Sequence, residues 1–278
     1  MSSRNISWAQ TQGAREYQQD SVLLRLEPPL TLVGLADGMG GHEGGERASK
    51  LALEAAADYF FTAADMDPAE RLKLAVQEAH AAVRRASEAD PRLASMGCTL
   101  VLAMQAGPAL YWASVGDSPL WLVRRGAVER LNENHSMAAV LDAMAAKGEL
   151  EAEEAKRDPR RSQLTSALGP QDALRRVDVS TQPLRLALGD TIVLASDGIE
   201  SLDTATIAQI CAREKVGEIA SEVIAQVDAL ACPGQDNATV IVWRPRLSAR
   251  GKLWWASVAL LALGAVALGA SLLLWFLP

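Results

Sequence analysis

The sequence predicts an α+β fold of layered sheets and helices, followed by one membrane-spanning helix at the C-terminal end. Two observations carry this. Short strand-like segments come in runs, with helical segments inserted in pairs rather than one per strand, which favours α+β layers over a parallel sheet. The stretch Leu253–Leu277 then runs for 25 residues without a charge. Of the 278 residues, about 250 remain for the part outside that stretch, enough to bury a core without staples.

In chain order, Asn5–Thr11, Ser21–Leu26 and Leu30–Ala36 read as strands, the last a mostly apolar run ending in Asp37-Gly38. Arg47–Phe61 and Pro68–Ser87 repeat apolar residues at helical spacing. Pro68 suits a first helical turn, with Asp67 as its N-cap. Strands resume at Thr99–Gln105, Ala109–Val115 and Leu120–Arg124, and Arg125-Gly126 turns the chain into Val128–Leu131. Ser136–Lys147 is predicted as a helix and Glu149–Arg161 as a charged excursion. Leu174–Thr181 and Thr191–Ala195 return to strand, Thr204–Ala212 and Gly217–Leu230 to helix, and Ala238–Val242 is a final strand.

The tail has the dimensions of a membrane span: 25 helical residues cover roughly 37 Å, against a hydrocarbon core of about 30 Å. Trp254 and Trp255 stand at one end, Trp275 and Phe276 at the other, as in aromatic belts. Arg244, Arg246, Arg250 and Lys252 precede it and no charge follows. The positive-inside rule therefore predicts a single-pass, C-terminally anchored protein of the inner (cytoplasmic) membrane, residues 1–243 facing the cytoplasm and 244–252 forming a basic juxtamembrane linker. The start of the chain has no apolar segment of the secretory kind. A net charge of −7 argues against nucleic acid as the partner. Cys98, Cys211 and Cys232 lie too far apart for a disulfide framework or a thiolate zinc cluster.

The chemistry is announced by aspartates at strand ends. Leu35-Ala36 leads into Asp37-Gly38, Ser114-Val115 into Gly116-Asp117, Leu194-Ala195 into Ser196-Asp197, and Gln235-Asp236 precedes the last strand; Asp20 precedes another. Any one of these reads as an ordinary turn. Together they suggest carboxylates converging at one sheet edge, where repulsion calls for cations. Oxygen donors without His or Cys suit hard ions such as Mg²⁺ or Mn²⁺.

The segments REYQQD (15–20), LADGMGGHEGGERAS (35–49), MGCTLV (96–101), VGDS (115–118), LNENHS (131–136), QLTSALG (163–169), LGDTIVLASDGIE (188–200) and GQDNATVIV (234–242) resemble, in order and spacing, the metal-dependent Ser/Thr protein phosphatase family and its bacterial type 2C-like members. The resemblance implies a central β-sandwich flanked by helical layers (α-β-β-α), with two Mn²⁺ or Mg²⁺ ions at one end and a weaker third in some members. It implies two-metal hydrolysis of phosphoserine and phosphothreonine without a covalent phosphoenzyme. Asp37 resembles the carboxylate bridging both metals, Gly38 a carbonyl ligand of the second, and Asp197 and Asp236 ligands of the first. Asp20 matches an Asp that ligates a metal or orders its water, and Arg15 the arginine gripping the substrate phosphate. The implied partners are phosphoproteins, here membrane-proximal, with a cognate Ser/Thr kinase.

Several positions depart from the pattern. Gln18 and Gln19 replace a frequent Asn and Glu, Pro119 an Arg, and Asn134 an Asp. Ser201 stands where an Asp often joins Asp117 at the third metal, leaving Asp117 to hold that ion loosely or with Glu200. Met39 replaces the His of eukaryotic relatives, so His42 is the nearest candidate general acid, with loop stabilisation as its alternative role. Residues 137–161 match a mobile flap. The competing functions are a membrane-tethered pseudophosphatase adaptor, which would require a broken metal site, and a phosphatase of small esters.

Overall fold

The computed structural model describes residues 5–27, 30–40, 42–213 and 215–247, with positions 42 and 43 described by their backbone only. Its strands are β1 (Ile6–Thr11), β2 (Ser21–Glu27), β3 (Leu30–Ala36), β4 (Gly38–Met39), β5 (Gly97–Cys98), β6 (Leu100–Ala106), β7 (Ala109–Val115), β8 (Leu120–Arg124), β9 (Ala127–Arg130), β10 (Asp178–Val179), β11 (Leu184–Arg185), β12 (Thr191–Ala195) and β13 (Ala238–Trp243). Its helices are α1 (His42–Thr62), α2 (Pro68–Ala89), α3 (Met137–Ala146), α4 (Ala152–Arg157), α5 (Thr204–Cys211) and α6 (Val216–Leu230).

Two antiparallel sheets, β1-β13-β12-β8-β9 and β10-β7-β6-β3-β2, pack face to face, and β11 extends the second along β7. Side-chain alternation explains why so many strands read as unbroken apolar runs. In β6, Val101 and Ala103 point between the sheets, while Leu100, Leu102 and Met104 point toward α1 and α2. In β13, Ile241 and Trp243 point inward, while Val240 and Val242 meet α5 and α6. A strand covered on both faces has no polar side to show, and the result is four layers, helix–sheet–sheet–helix.

The expected strand bounds recur at β3, β7, β8 and β12. Asp67 caps α2 as expected, its carboxylate accepting from the backbone N–H groups of Ala69 and Glu70 at 3.0 and 3.3 Å. Other expectations are corrected. Leu174–Thr181 is strand only at Asp178–Val179, because β7 offers it a two-residue register. The charged excursion contains α4, whose buried Ala155, like Leu141 of α3, gives the 137–161 segment its own small interior. Helix α1 starts at His42, before the expected Arg47, and takes in Gly44 and Gly45. Glycine weakens a helix, but here it permits contact. A Cβ at Gly45 would stand 2.6 Å from Gln19 Nε2 and 2.8 Å from the Gly38 carbonyl carbon.

The domain also runs past its expected boundary at 243. Arg244 donates to the carbonyls of Cys211 and Arg213, each at 3.0 Å, and the Arg246 carbonyl accepts from Gln105 Nε2 at 3.1 Å. Leu247 packs against the core between the sheets. Arg244 therefore belongs to the domain rather than to the basic linker. Among the described residues no helix is long and apolar enough to cross a membrane; Leu253–Leu277 lies outside the described residues.

Candidate active site

Strand register places the acidic positions at one edge of the sandwich. Strand β3 is antiparallel to β6 and β6 to β7, so β3 and β7 run the same way and end together, at Asp37 and at Gly116-Asp117. Strand β12 ends at Ala195, opposite Val240 near the start of β13, which brings Asp197 toward Asp236. The end of β1 pairs with the start of β13, and the start of β2 with the end of β3, so the loop 12–20 spans the same edge.

A cavity of about 740 Å³ opens there, lined among others by Arg15, Asp37, Gly38, Asp117, Asp197 and Asp236. Six of the eight residues singled out for metal or phosphate binding, His42 aside, therefore meet in one space. Asp20 and Glu200 are not among its lining residues. Asp20 is buried, 5% exposed, accepting from the Ser196 hydroxyl at 2.8 Å. Glu200 is ion-paired with Arg130 at 3.3 Å, and Arg130 also donates to the backbone carbonyl of Asp117. His42 opens α1, and its side chain lies outside what is described.

Short polar contacts hold the edge together. The Asp37 N–H donates to Thr99 Oγ1 at 3.0 Å and the Thr99 N–H to the Asp37 carbonyl at 2.8 Å. Strand β4 pairs with β5, fixing Gly38 beside Cys98. Cys98 is fully buried, and burial raises its thiol far above the usual range, as suits a structural cysteine rather than a nucleophile. Asn237 pins the loop that carries Arg15. Its amide donates to the carbonyls of Gln12 and Tyr17, each at 2.9 Å, and its Oδ1 accepts from the Gln19 N–H at 2.8 Å. Arg15 itself reaches Asp236 Oδ2 at 2.6 Å.

The electrostatics are those of a cluster short of positive charge. Burial, then the charges of Asp20, Asp197, Asp117 and Asp236, push the Asp37 carboxyl well above the usual aspartate range. Burial and the neighbouring aspartates, Asp117 first, raise Asp197 to about 7. Burial also raises Asp20, only partly offset by the Thr239 and Ser196 hydroxyls. Asp117 and Glu200 are raised by burial too, each partly offset by Arg130.

Divalent cations fit this donor set. Asp20 Oδ1 and Asp197 Oδ1 are buried without a hydrogen-bond partner, a costly state for a carboxylate unless something outside the chain completes it. The donors are all oxygen, as Mg²⁺ and Mn²⁺ prefer. As the side chains stand, no three acidic, imidazole or thiol groups among the described residues form a ready cage. Asp236 is engaged by Arg15.

Residues 11–227 match the family described as protein phosphatase 2C. The chain belongs to that family. It is 30% identical over 230 residues to the serine/threonine phosphatase stp of Listeria monocytogenes, covering 81% of this chain and 87% of the relative. The crystal structure of the Mycobacterium tuberculosis serine/threonine phosphatase PstP/Ppp is 29% identical, with a TM-score of 0.73 over 85% of this chain and 96% of that one. A structure of the PstP catalytic domain in complex with two manganese ions has a TM-score of 0.69 at 28% identity, covering 85% and 96% of the two chains. As members of this family do, the chain carries the fold of a serine/threonine phosphatase.

Within this type 2C framework, sequence reasoning missed three residues. Asn237 lay inside a motif already quoted, next to Asp236, and a buried Asn in a loop that turns into a strand was a signal to follow. Thr99 sat likewise in the 96–101 segment. Arg130 gave no signal, because its pairing with Glu200 bridges 70 positions.

Proposed function

We propose that this phosphatase hydrolyses phosphoserine and phosphothreonine in proteins, with two divalent cations held by Asp37, Asp197, Asp236 and the Gly38 carbonyl. The observation that carries the reading is the convergence of Asp37, Asp117, Asp197 and Asp236 beside Arg15 in one open cavity, with the first three raised and Asp197 Oδ1 buried without a hydrogen-bond partner. Mg²⁺ or Mn²⁺ bound there would supply charge neutralisation and lower the pKa of water toward neutrality. The residues of the chain do the rest. Arg15, held by Asp236, offers a fork of donors suited to phosphate oxygens. Asp20, buried and oriented by Ser196, positions water rather than contacting substrate. Arg130 supplies a fixed positive charge between Glu200 and Asp117, where a third cation would otherwise be drawn.

We also infer that the chain acts at the cytoplasmic face of a membrane, opposing a Ser/Thr kinase on membrane-proximal phosphoproteins. The uncharged run Leu253–Leu277 and the basic residues before it support anchoring. Recovery of the full-length chain in the soluble fraction, without detergent, would overturn it. The pseudophosphatase alternative loses ground because Asp37, Gly38, Asp197 and Asp236 are all present and adjoin one cavity.

The test is phosphate release from a phosphothreonine peptide by the full-length chain in detergent, with Mn²⁺ or with chelator. Release is expected only with metal, and not from Asp37→Asn. Metal-independent release, or release undiminished in that variant, would defeat the enzyme reading.

A further inference from the structure

The loop from Gly169 to Arg176 forms one wall of the cavity, through Gln171 and Arg175. It carries three charged side chains. Asp172 is ion-paired with Arg84 of α2 at 3.2 Å. Arg176 is ion-paired with Glu133 at 2.9 Å, and its backbone is clasped by Ser166, whose Oγ accepts from the Arg176 N–H at 3.1 Å and donates to its carbonyl at 2.8 Å. Arg175 stands between these two anchors, is exposed, and makes no side-chain hydrogen bond or ion pair with any described residue. The loop is thus fastened on both sides of an arginine that projects no bond of its own and lines the active-site cavity. The cavity's other lining guanidinium, Arg15, already holds Asp236 at 2.6 Å.

We propose that Arg175 is a substrate-recognition residue, forming a subsite for the carboxylate of an acidic residue that flanks the phosphorylated one in the same peptide. A cavity of about 740 Å³ is far larger than a phosphoryl group, so neighbouring peptide residues enter with it. The floor of that cavity is acidic and would repel a peptide carboxylate; the 169–176 wall presents a cation instead. A guanidinium free of internal partners gives up no bond when it takes a carboxylate, and its paired donors match that group. The Ser/Thr phosphatase activity proposed above supplies the reaction; Arg175 selects among its substrates.

The test uses the full-length chain in detergent and phosphothreonine peptides with Glu, Gln or Lys one to three residues from the phosphorylated position. Turnover is measured with Mn²⁺, and binding is measured separately by fluorescence anisotropy. The wild type is expected to favour Glu over Gln about five- to tenfold in kcat/KM, within the range of one typical net hydrogen bond. Arg175→Gln is expected to bring that ratio near one, and Arg175→Lys to restore part of it. The preference should shrink at about 1 M salt, where the screening length is about 3 Å. A wild-type ratio near one, or a ratio unchanged in Arg175→Gln, overturns the subsite. Charge preference in binding without turnover of any peptide would uphold the subsite and overturn the phosphatase reading. Turnover without charge preference would do the reverse.

Discussion

Aspartates in two regions of this chain behave oppositely. On the outer turns, Asp90 and Asp158 each meet an arginine two residues on. Arg92 and Arg160 reach back to them at 2.7 Å, and the backbone N–H of the same arginine donates at 3.0 and 2.8 Å. These bonds hold both carboxyls at about 2. At the cavity, burial holds Asp117 above the usual range, and burial with neighbouring carboxylates holds Asp37 well above it and Asp197 at about 7. The turn aspartates are completed by their own neighbours in sequence. Those at the strand ends are brought together by sheet register, and nothing local completes them. A fold that assembles such a group spends stability to keep a place for cations.

The comparison breaks most sharply in activity. Asp37→Asn is expected to lower kcat/KM more than about a hundredfold, since even groups one step removed from a metal cost 10–100-fold. Asp158→Asn should release phosphate at near the wild-type rate in the same assay. If the two variants behave alike, the contrast between the regions has no functional content.

Metal should also separate them in stability. Mn²⁺ at a hundred times its dissociation constant adds about 2.7 kcal/mol per site, or several degrees in Tm for a domain of this size. Differential scanning calorimetry should show that rise in wild type and Asp158→Asn, and lose most of it in Asp37→Asn.

A smaller effect lies in the pH dependence of the metal-free protein. Asp197 has its carboxyl raised from 3.8 to about 7. The folded state then holds more protons than the unfolded one, so its contribution is complete below 3.8 and is lost as pH rises toward 7. Asp158, lowered to about 2, acts in the other direction: its contribution is present above 3.8 and lost as pH falls toward 2. In chelator, Asp197→Asn should therefore gain stability relative to wild type between about pH 4 and 7. A difference that stays flat across that window would contradict the account.

The smallest expected effect concerns Arg130, which does for Glu200 and Asp117 part of what Arg92 and Arg160 do for the turns. Arg130→Gln should let a further Mn²⁺ bind at the cavity's rim several-fold more tightly, read by calorimetry. Asp117→Ala should reduce turnover yet leave two tight ions. Loss of a tight site in Asp117→Ala would assign that residue to the principal pair instead.

Much of this arrangement was legible in the sequence, for a physical reason. Strands covered on both faces leave unbroken apolar runs, so β3, β7, β8 and β12 could be bounded to the residue, and the Asp just past β3, β7 and β12 marked the functional edge. What could not be read depends on contacts distant in sequence. The glycines at the start of α1 argue against helix locally and are explained only by Gly38 and Gln19 pressing on them. Arg244 looked like part of a basic linker because its carbonyl partners, Cys211 and Arg213, lie some thirty residues back. Arg175 and Arg176 are identical side by side, and only the fold gives one a glutamate and leaves the other facing the cavity.

The central claim is that the raised carboxylates are a cation site. Isothermal titration of Mn²⁺ into the metal-free full-length protein tests it most directly. The account predicts two tight sites in wild type, with proton release near neutral pH as Asp197 gives up its proton, and loss of tight binding in Asp37→Asn. No tight binding in wild type, or two sites unchanged in Asp37→Asn, would contradict it.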